Sequence, residues 1–208
     1  LTFLEPDTGN VIFYIVIWIS ILLYHKHDFK KLKYCIVGLI LLAGGFFYLY
    51  FFASDLFVKC FGSSFFYRMD RIVGVFTSNY QLDQALLNMG VAGLTGHRAI
   101  LNIPEATTDF AFSLLVSLNG LLGTIFFLFV NFLFNLLILS KIKDGNPFMK
   151  SITFSFLMMK LFQESIHIFM NIGLFPITGI TLPFISYGGT SLLSYFFIVG
   201  FISNYHKD

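Results

Sequence analysis

The chain has 208 residues, 57% of them hydrophobic and 12% charged, with a net charge of +2 and a mean hydropathy of +0.81. Soluble domains carry roughly 25% charged residues, so the composition leaves too little charge to keep a surface in water, and the small net charge argues against a nucleic-acid partner. The two cysteines, Cys35 in an apolar run and Cys60 in a polar one, supply no disulfide framework and read as unpaired thiols.

The sequence starts at Leu1, with no Met and no basic stretch ahead of a cleavage site. The start therefore does not read as a signal peptide, and the chain is expected to be a piece of a longer protein. Crossing a hydrocarbon layer about 30 Å thick takes about 20 apolar residues. By that test helices are predicted near residues 8–24, 35–53, 110–140, 152–173 and 191–205. The fold class is all-α: a polytopic helical membrane protein of about five spans, with residues 1–208 forming one integral membrane domain. The run 110–140 is long for a single crossing and should tilt, or bend near Gly120 and Gly123. The last predicted helix is short and should reach back into Thr190.

Lys26, Lys30, Lys31 and Lys33 lie in one short connection, and Lys141, Lys143 and Lys150 in another. Basic short loops face the cytoplasm, and the alternation of spans then puts the C-terminal His206-Lys207-Asp208 on that side as well. The long stretch 54–109 is thereby extracellular. A connection of that length in a compact protein is functional or disordered. Its apolar segment 84–94 favours a packed or surface helix.

Lys160, Gln163, Glu164, His167 and Asn171 fall within one arc of about 100° on the fourth predicted helix, at about 100° per residue. Ionisable groups at membrane depth cost at least about 2.5–3.5 kcal/mol each, so this stripe must face other helices or a wet cavity. Two readings stand side by side. Lys160 and Glu164, one turn apart, neutralise each other and join helices, or the stripe forms a polar groove for a charged headgroup or a proton path. Asn131 and Asn135, also one turn apart, are expected to make hydrogen bonds between helices.

The segment from Asn171 to Ser191, NIGLFPITGITLPFISYGGTS, contains Gly and Pro at positions that cannot continue a helix. Irregular backbone of this kind is tolerated near a membrane only when buried in protein or lining water. It reads as a rigid turn locking two helices, within which Ser186 and Tyr187 could also reach a ligand. The segment resembles the C-terminal signature of the SEDS family of bacterial shape, elongation, division and sporulation proteins. Pro104-Glu105-Ala106-Thr107-Thr108-Asp109-Phe110 is similar to that family's Pro-Glu-x-His-Thr-Asp-Phe motif. Arg71, the run Tyr80-Gln81-Leu82-Asp83-Gln84, and Gly90, Gly93 and Gly96 resemble its approach to that motif, and Glu5-Pro6-Asp7-Thr8-Gly9 resembles its Gln-Pro-Asp-x-Gly. Thr107 stands in place of the motif's His, Ser117 and Leu118 where two acidic residues are common, and Gly96-His97-Arg98 in place of Gly-Lys-Gly.

The resemblance implies the C-terminal half of a ten-helix fold in the bacterial cell membrane. It implies a glycosyltransferase that polymerises lipid II outside the membrane and works with a class B penicillin-binding protein. Asp109 matches the family's essential Asp and would act as general base on the acceptor hydroxyl. Taken by itself, an Asp at this point serves equally well as a helix N-cap; the motif around it favours catalysis. Glu105, Arg71, Gln84, Arg98, Lys160, His167, Ser186 and Tyr187 are candidates for substrate binding. No cofactor is required by the sequence, although a divalent cation, Mg or Mn, would suit the leaving pyrophosphate. Two alternatives remain: a transporter of lipid-linked precursor running along the Lys160–His167 stripe, and a non-catalytic scaffold for other wall enzymes.

Overall fold

The computed structural model describes residues 10–24, 37, 38, 41, 44–46, 48–63, 66, 80–97, 103–142 and 146–204. Regular structure among the described residues is helical, with no strand. The helices are α1 (Asn10–Tyr24), α2 (Ser54–Phe61), α3 (Tyr80–Val91), α4 (Ala111–Lys141), α5 (Pro147–Asn171) and α6 (Gly189–Ser203). Four of them answer to the predicted spans near 8–24, 110–140, 152–173 and 191–205. In the fifth, 35–53, the described residues from 37 to 52 are helical. Helix α5 begins five residues before its predicted start, because Pro147 suits a first helical position and the Asn146 side chain accepts from Met149 N at 2.9 Å. Helices α2 and α3 lie inside the stretch 54–109, α3 where the apolar segment 84–94 predicted one.

Contacts divide the chain into two compact units, one of Leu1–Tyr24 with Ser78–Asp208 and one of His25–Thr77. In the second unit, Phe57 is fully buried and meets the rings of Phe61, Phe46, Tyr50 and Phe66 at centroid distances of 4.9, 5.1, 5.6 and 6.0 Å. Such offset and edge-on pairs contribute about 0.5–1.5 kcal/mol each beyond area burial.

The first unit carries the helices of interest here, and its burial pattern is inverted relative to a soluble bundle. Helix α4 has 31 residues and contains an 18-residue stretch of mean hydropathy 2.3, long and apolar enough to cross a membrane. Phe126, Phe129, Phe132 and Leu137 on it are exposed, whereas Ser113, Ser117 and Thr124 are buried. Helix α5 does the same, exposing Leu161 and Phe169 while burying its whole polar stripe. Apolar side chains outward and polar ones inward is the arrangement that lipid demands.

Helix α4 is bent at Gly120 (φ 65°, ψ −167°), one of the two places where the sequence predicts a bend. That conformation is open essentially to glycine alone. The bend breaks the helical ladder, and the turn after α3 fills the gap. Leu121 N donates to Gly93 O and Leu122 N to Leu94 O, both at 3.0 Å, and His97 N donates to Ser117 O at 2.8 Å. The approach is backbone to backbone, since a Cβ on Gly120 would lie 2.3 Å from Gly96 N. This exchange ties the segment after α3 to the helix that follows the Pro104–Phe110 turn.

Farther along, Lys160 is completely buried, and its ammonium donates to Asn131 Oδ1 and Asn135 Oδ1, both at 2.8 Å, and to the Glu164 carboxylate. An ammonium has three donors, and all three have partners here. The rings of Phe134 and Phe184 lie 5.3 and 6.0 Å from Nζ. The Lys160–Glu164 pair therefore joins α5 to α4, and both asparagines take part as interhelical acceptors. Phe184 reaches this cluster from the segment between α5 and α6, adopting a positive φ of 65° and packing on Phe134 and Tyr195 at 5.4 and 5.2 Å.

Removing one member of a buried ion pair strands the other charge and costs about 3–5 kcal/mol, whereas replacing both by apolar groups is often nearly neutral. Glu164→Gln and Lys160→Met should each lower the melting temperature of the detergent-solubilised protein. The Lys160→Met/Glu164→Leu double variant should recover most of the loss. A double variant less stable than either single one would show that the cluster stabilises the bundle through its charge itself.

Candidate active site

The turn Pro104–Phe110 enters α4 and is anchored at both ends by apolar burial. Ile103 and Phe110 pack with Leu82 and Ala85 of α3. Within the turn, Thr108 N and Phe110 N both donate to Glu105 O, at 3.2 and 3.1 Å, and Thr108 Oγ1 donates to Glu105 Oε2 at 3.0 Å. Glu105 takes a positive φ of 52°, uncommon for a residue with a side chain.

Three consecutive carbonyls of this turn are held from outside it. Tyr187 N donates to Thr107 O at 2.8 Å, Ser186 Oγ to Thr108 O at 2.8 Å, and Asn171 Nδ2 to Asp109 O at 3.0 Å. Each donor comes from the segment 171–187. Two of the stretches that carry the family resemblance, far apart in sequence, are thus hydrogen-bonded to each other.

The start of α4 is capped in an unusual way. Phe110 occupies the N-cap position and no side chain of its own segment caps the helix. Ser113 N instead donates to Asn171 Oδ1 at 3.0 Å, and Phe112 N to His167 Nε2 at 3.4 Å. The free N–H groups of a helix start need acceptors, and here α5 supplies them. His167 Nδ1 lies 2.7 Å from Ile180 O, a pairing that puts the ring proton on Nδ1 and leaves Nε2 to accept. The N-capping alternative for Asp109 is therefore answered: the capping falls to Asn171 and His167.

The Asp109 carboxylate is half-buried, and burial first, then the neighbouring charge of Glu105, pushes its pKa above the ordinary carboxylate value. It lies against Gly179, where an added Cβ would be 3.8 Å from Asp109 Oδ2. Gly179 has a φ of 71° and borders a cavity of about 420 Å³ between α1, α5, α6 and the segment 178–191. Its lining mixes apolar side chains (Phe13, Ile17, Met159) with polar ones (Gln163, Thr178, Tyr195). Two of the polar side chains are themselves held in place: Gln163 Nε2 donates to Thr181 O at 2.9 Å, and Tyr195 OH donates to Gln163 Oε1 at 2.5 Å. Thr178 Oγ1 is buried without a hydrogen-bond partner among the described residues.

The remaining sequence candidates scatter. Glu105 is exposed on the same turn as Asp109. Gln84 lies half-buried on α3, its carbonyl accepting from Asn88 Nδ2 at 2.7 Å. Ser186 is buried, and its hydroxyl already accepts from Leu182 N at 2.7 Å while donating to Thr108 O. The Tyr187 ring is 80% exposed and free of such duties. Lys160 lies roughly 16 Å along α5 from Asn171, at about 1.5 Å per residue, with its donors occupied. Arg71, Arg98, Cys35 and the Glu5–Gly9 stretch lie outside the described residues, and Cys60 is an exposed free thiol. Among the described residues no group of three or more His, Cys, Asp or Glu side chains converges as a metal-holding set. Ser113, Thr178 and Tyr195 were not singled out from the sequence. Ser113 and Ser117, one turn apart on a largely apolar helix, carry a readable signal, as does the lone phenol of Tyr195 in α6.

Comparison with known proteins matches the whole chain, residues 1–208, to the family model FTSW_RODA_SPOVE, described as cell cycle protein. A protein of Thiomicrospira cyclica named probable peptidoglycan glycosyltransferase FtsW is 31% identical over 156 residues, 65% of this chain and 39% of that protein. Proteins of the same name from Coxiella burnetii and Enterococcus hirae are 29% and 37% identical, covering 97% and 61% of this chain. The chain spans 55% and 34% of those two proteins, about half of its relatives' length or less. A chain of a solved structure described as "Structural coordination of polymerization and crosslinking by a peptidoglycan synthase complex" superposes with a TM-score of 0.69 at 19% identity, over 97% of this chain and 56% of that one. The likeness extends to the fold.

Gly179 tests the geometry of the turn. A side chain at its left-handed φ costs roughly 1–2 kcal/mol, and the added carbon would cover Asp109. Gly179→Ala should lower the melting temperature in detergent, while Gly189→Ala, at the start of α6 with open space around it, should leave it unchanged or raised. Equal melting of the two variants would contradict the strained turn.

Proposed function

The chain belongs to the FtsW/RodA/SpoVE family of cell cycle proteins, and on that footing we propose that it forms the C-terminal half of a membrane-embedded peptidoglycan glycosyltransferase that polymerises lipid II, with Asp109 as general base. One observation carries the reading: a half-buried carboxylate, relieved of helix capping by Asn171 and His167, lies against a segment that borders an amphipathic cavity. The names of the relatives support glycosyl transfer in cell-wall synthesis.

In the proposed reaction the acceptor sugar's hydroxyl attacks the anomeric carbon of the donor. A new C–O bond forms as the bond to the pyrophosphate oxygen breaks, and undecaprenyl pyrophosphate departs with the electron pair. Asp109 takes the hydroxyl proton. A positioned base contributes about 10²–10⁴-fold. The slot beside Gly179 suits a ligand with an apolar anchor and a polar head, the apolar part against Phe13 and Ile17 and the hydroxyls towards the polar lining residues. Charge on the leaving group needs cations nearby. A Mg or Mn ion would take most of its ligands from phosphates and water, with Glu105 as the protein's exposed carboxylate, and would supply charge neutralisation.

The reaction faces the outside of a bacterial cell membrane, with the basic connections 25–33 and 141–150 and the C-terminus in the cytoplasm, as the distribution of Lys predicts. The partner is a class B penicillin-binding protein, a reading supported by the fold's likeness to a component of a complex that couples polymerisation to crosslinking. The transport alternative is disfavoured, since the Lys160 donors that would line a path are all engaged.

Full-length protein carrying Asp109→Asn should insert and melt normally yet polymerise purified lipid II about 10²-fold or more slowly than wild type. Polymer yield equal to wild type would overturn the assignment. The pH profile supplies an independent check. The base works as a carboxylate, so activity is lost as pH falls through its raised pKa, and the acid limb should lie above the ordinary carboxylate value of about 3.9. Glu105→Gln removes a negative neighbour that raises that pKa, so its limb should move to lower pH. A limb unmoved, or moved upward, would separate the titrating group from Asp109.

A further inference from the structure

Asn171 is fully buried, and its amide uses its entire hydrogen-bonding capacity in four contacts. Oδ1 accepts from Ser113 N at 3.0 Å and Ser113 Oγ at 2.7 Å; Nδ2 donates to Asp109 O at 3.0 Å and His167 O at 2.9 Å. The amide orientation follows from the network, because a flipped group would set its NH₂ against the N–H of Ser113. The side chain thus bridges the junction of turn and helix, with the carbonyl of Asp109 on one side and the third residue of α4 on the other.

From this geometry we propose that Asn171 is a positioning residue for the Asp109 carboxylate. The inference rests on the reading of Asp109 as general base and deepens it. Fixing the carbonyl of Asp109 fixes its Cα, and with Ser186 and Tyr187 N holding the two preceding carbonyls, rotation about its own side-chain bonds is the main freedom left to the residue. The carboxylate is held toward Gly179 without a hydrogen bond of its own being required. Asn171 touches neither substrate nor the reacting atoms; it acts through the backbone.

Among the described residues, few titratable groups lie near the carboxylate. Glu105 shares its turn, residues 172–188 contain no Asp, Glu, Lys, Arg or His, the first turn of α4 contains none, and α5 contributes His167 through its contact with Phe112 N.

The test uses the full-length protein and lipid II, comparing wild type with Asn171→Ala, and with Asn171→Ser in case the alanine variant fails to insert. Loosening the turn should lower kcat about 10–100-fold, as misplacement by about 1 Å does, with KM little changed. It should also move the acid limb of kcat to lower pH as the carboxylate gains water. Glu164→Gln serves as the structural control: it destabilises the bundle away from the turn, so it should lower the amount of active protein while leaving the limb in place. An inserted Asn171 variant with wild-type kcat and an unmoved limb would overturn the positioning role, provided Asp109→Asn is inactive. Turnover retained by Asp109→Asn would instead overturn the base assignment beneath it.

Discussion

Backbone and side-chain polar groups at membrane depth have no water to turn to, and the buried face of α5 is where this protein meets that constraint. Lys160, Gln163, Glu164, His167 and Asn171 are all nearly or fully inaccessible, and every one of them holds a group on another segment or on a partner that does. The stripe divides by what it holds. Lys160 and Glu164 secure α4 through its two asparagines. Gln163, His167 and Asn171 secure the irregular segment and the start of α4. Without these acceptors and donors, both the N-terminus of α4 and the carbonyls of residues 180 and 181 would be left unpaired, at about 1–3 kcal/mol for each buried group.

That division explains why an irregular segment can be rigid. Residues 172–188 have no ladder of their own, yet Ile180 O and Thr181 O are bound to α5, Ser186 and Tyr187 N to the Asp109 turn, and the Phe184 ring to Phe134 and Tyr195. The segment is a plate fastened on three sides, and the Asp109 turn is fastened to the plate. The position of the carboxylate therefore derives from α5, directly through Asn171 and indirectly through the plate.

Much of this was legible in the sequence, and for a physical reason. Apolar runs and the cost of charge in lipid set the helices, and a 100° polar arc on α5 required a protein-facing side. Gly120 as a bend and the apolar part of 84–94 as a helix were likewise readable from local chemistry. What one sequence could not give was pairing at long range. Asn171 reads as a stripe residue, Ser186 as a ligand candidate and Asp109, apart from its motif, equally well as a cap, because the partner 58 to 78 residues away that decides each role is not encoded locally. Ser186 illustrates the point: its hydroxyl is free on paper and doubly engaged in the fold. The short helix α2 escaped for a different reason, as eight residues with mixed polarity carry too little period to be read.

The manner in which the turn is held also bears on the chemistry. Had the scaffold gripped Asp109 through N–H groups donated to its carboxylate, the charged form would have been stabilised and its pKa depressed, giving a well-placed but feeble base. Gripping the carbonyls instead leaves the carboxylate oxygens unassisted. Among the described residues the influences on Asp109 are burial and the charge of Glu105, both of which raise its affinity for a proton. In the proposed function, a carboxylate with a raised pKa is, in its ionised form, the better acceptor for a sugar hydroxyl's proton. Position and basicity make opposite demands on the hydrogen bonds around a carboxylate, and a fold that anchors the main chain on either side of it meets both.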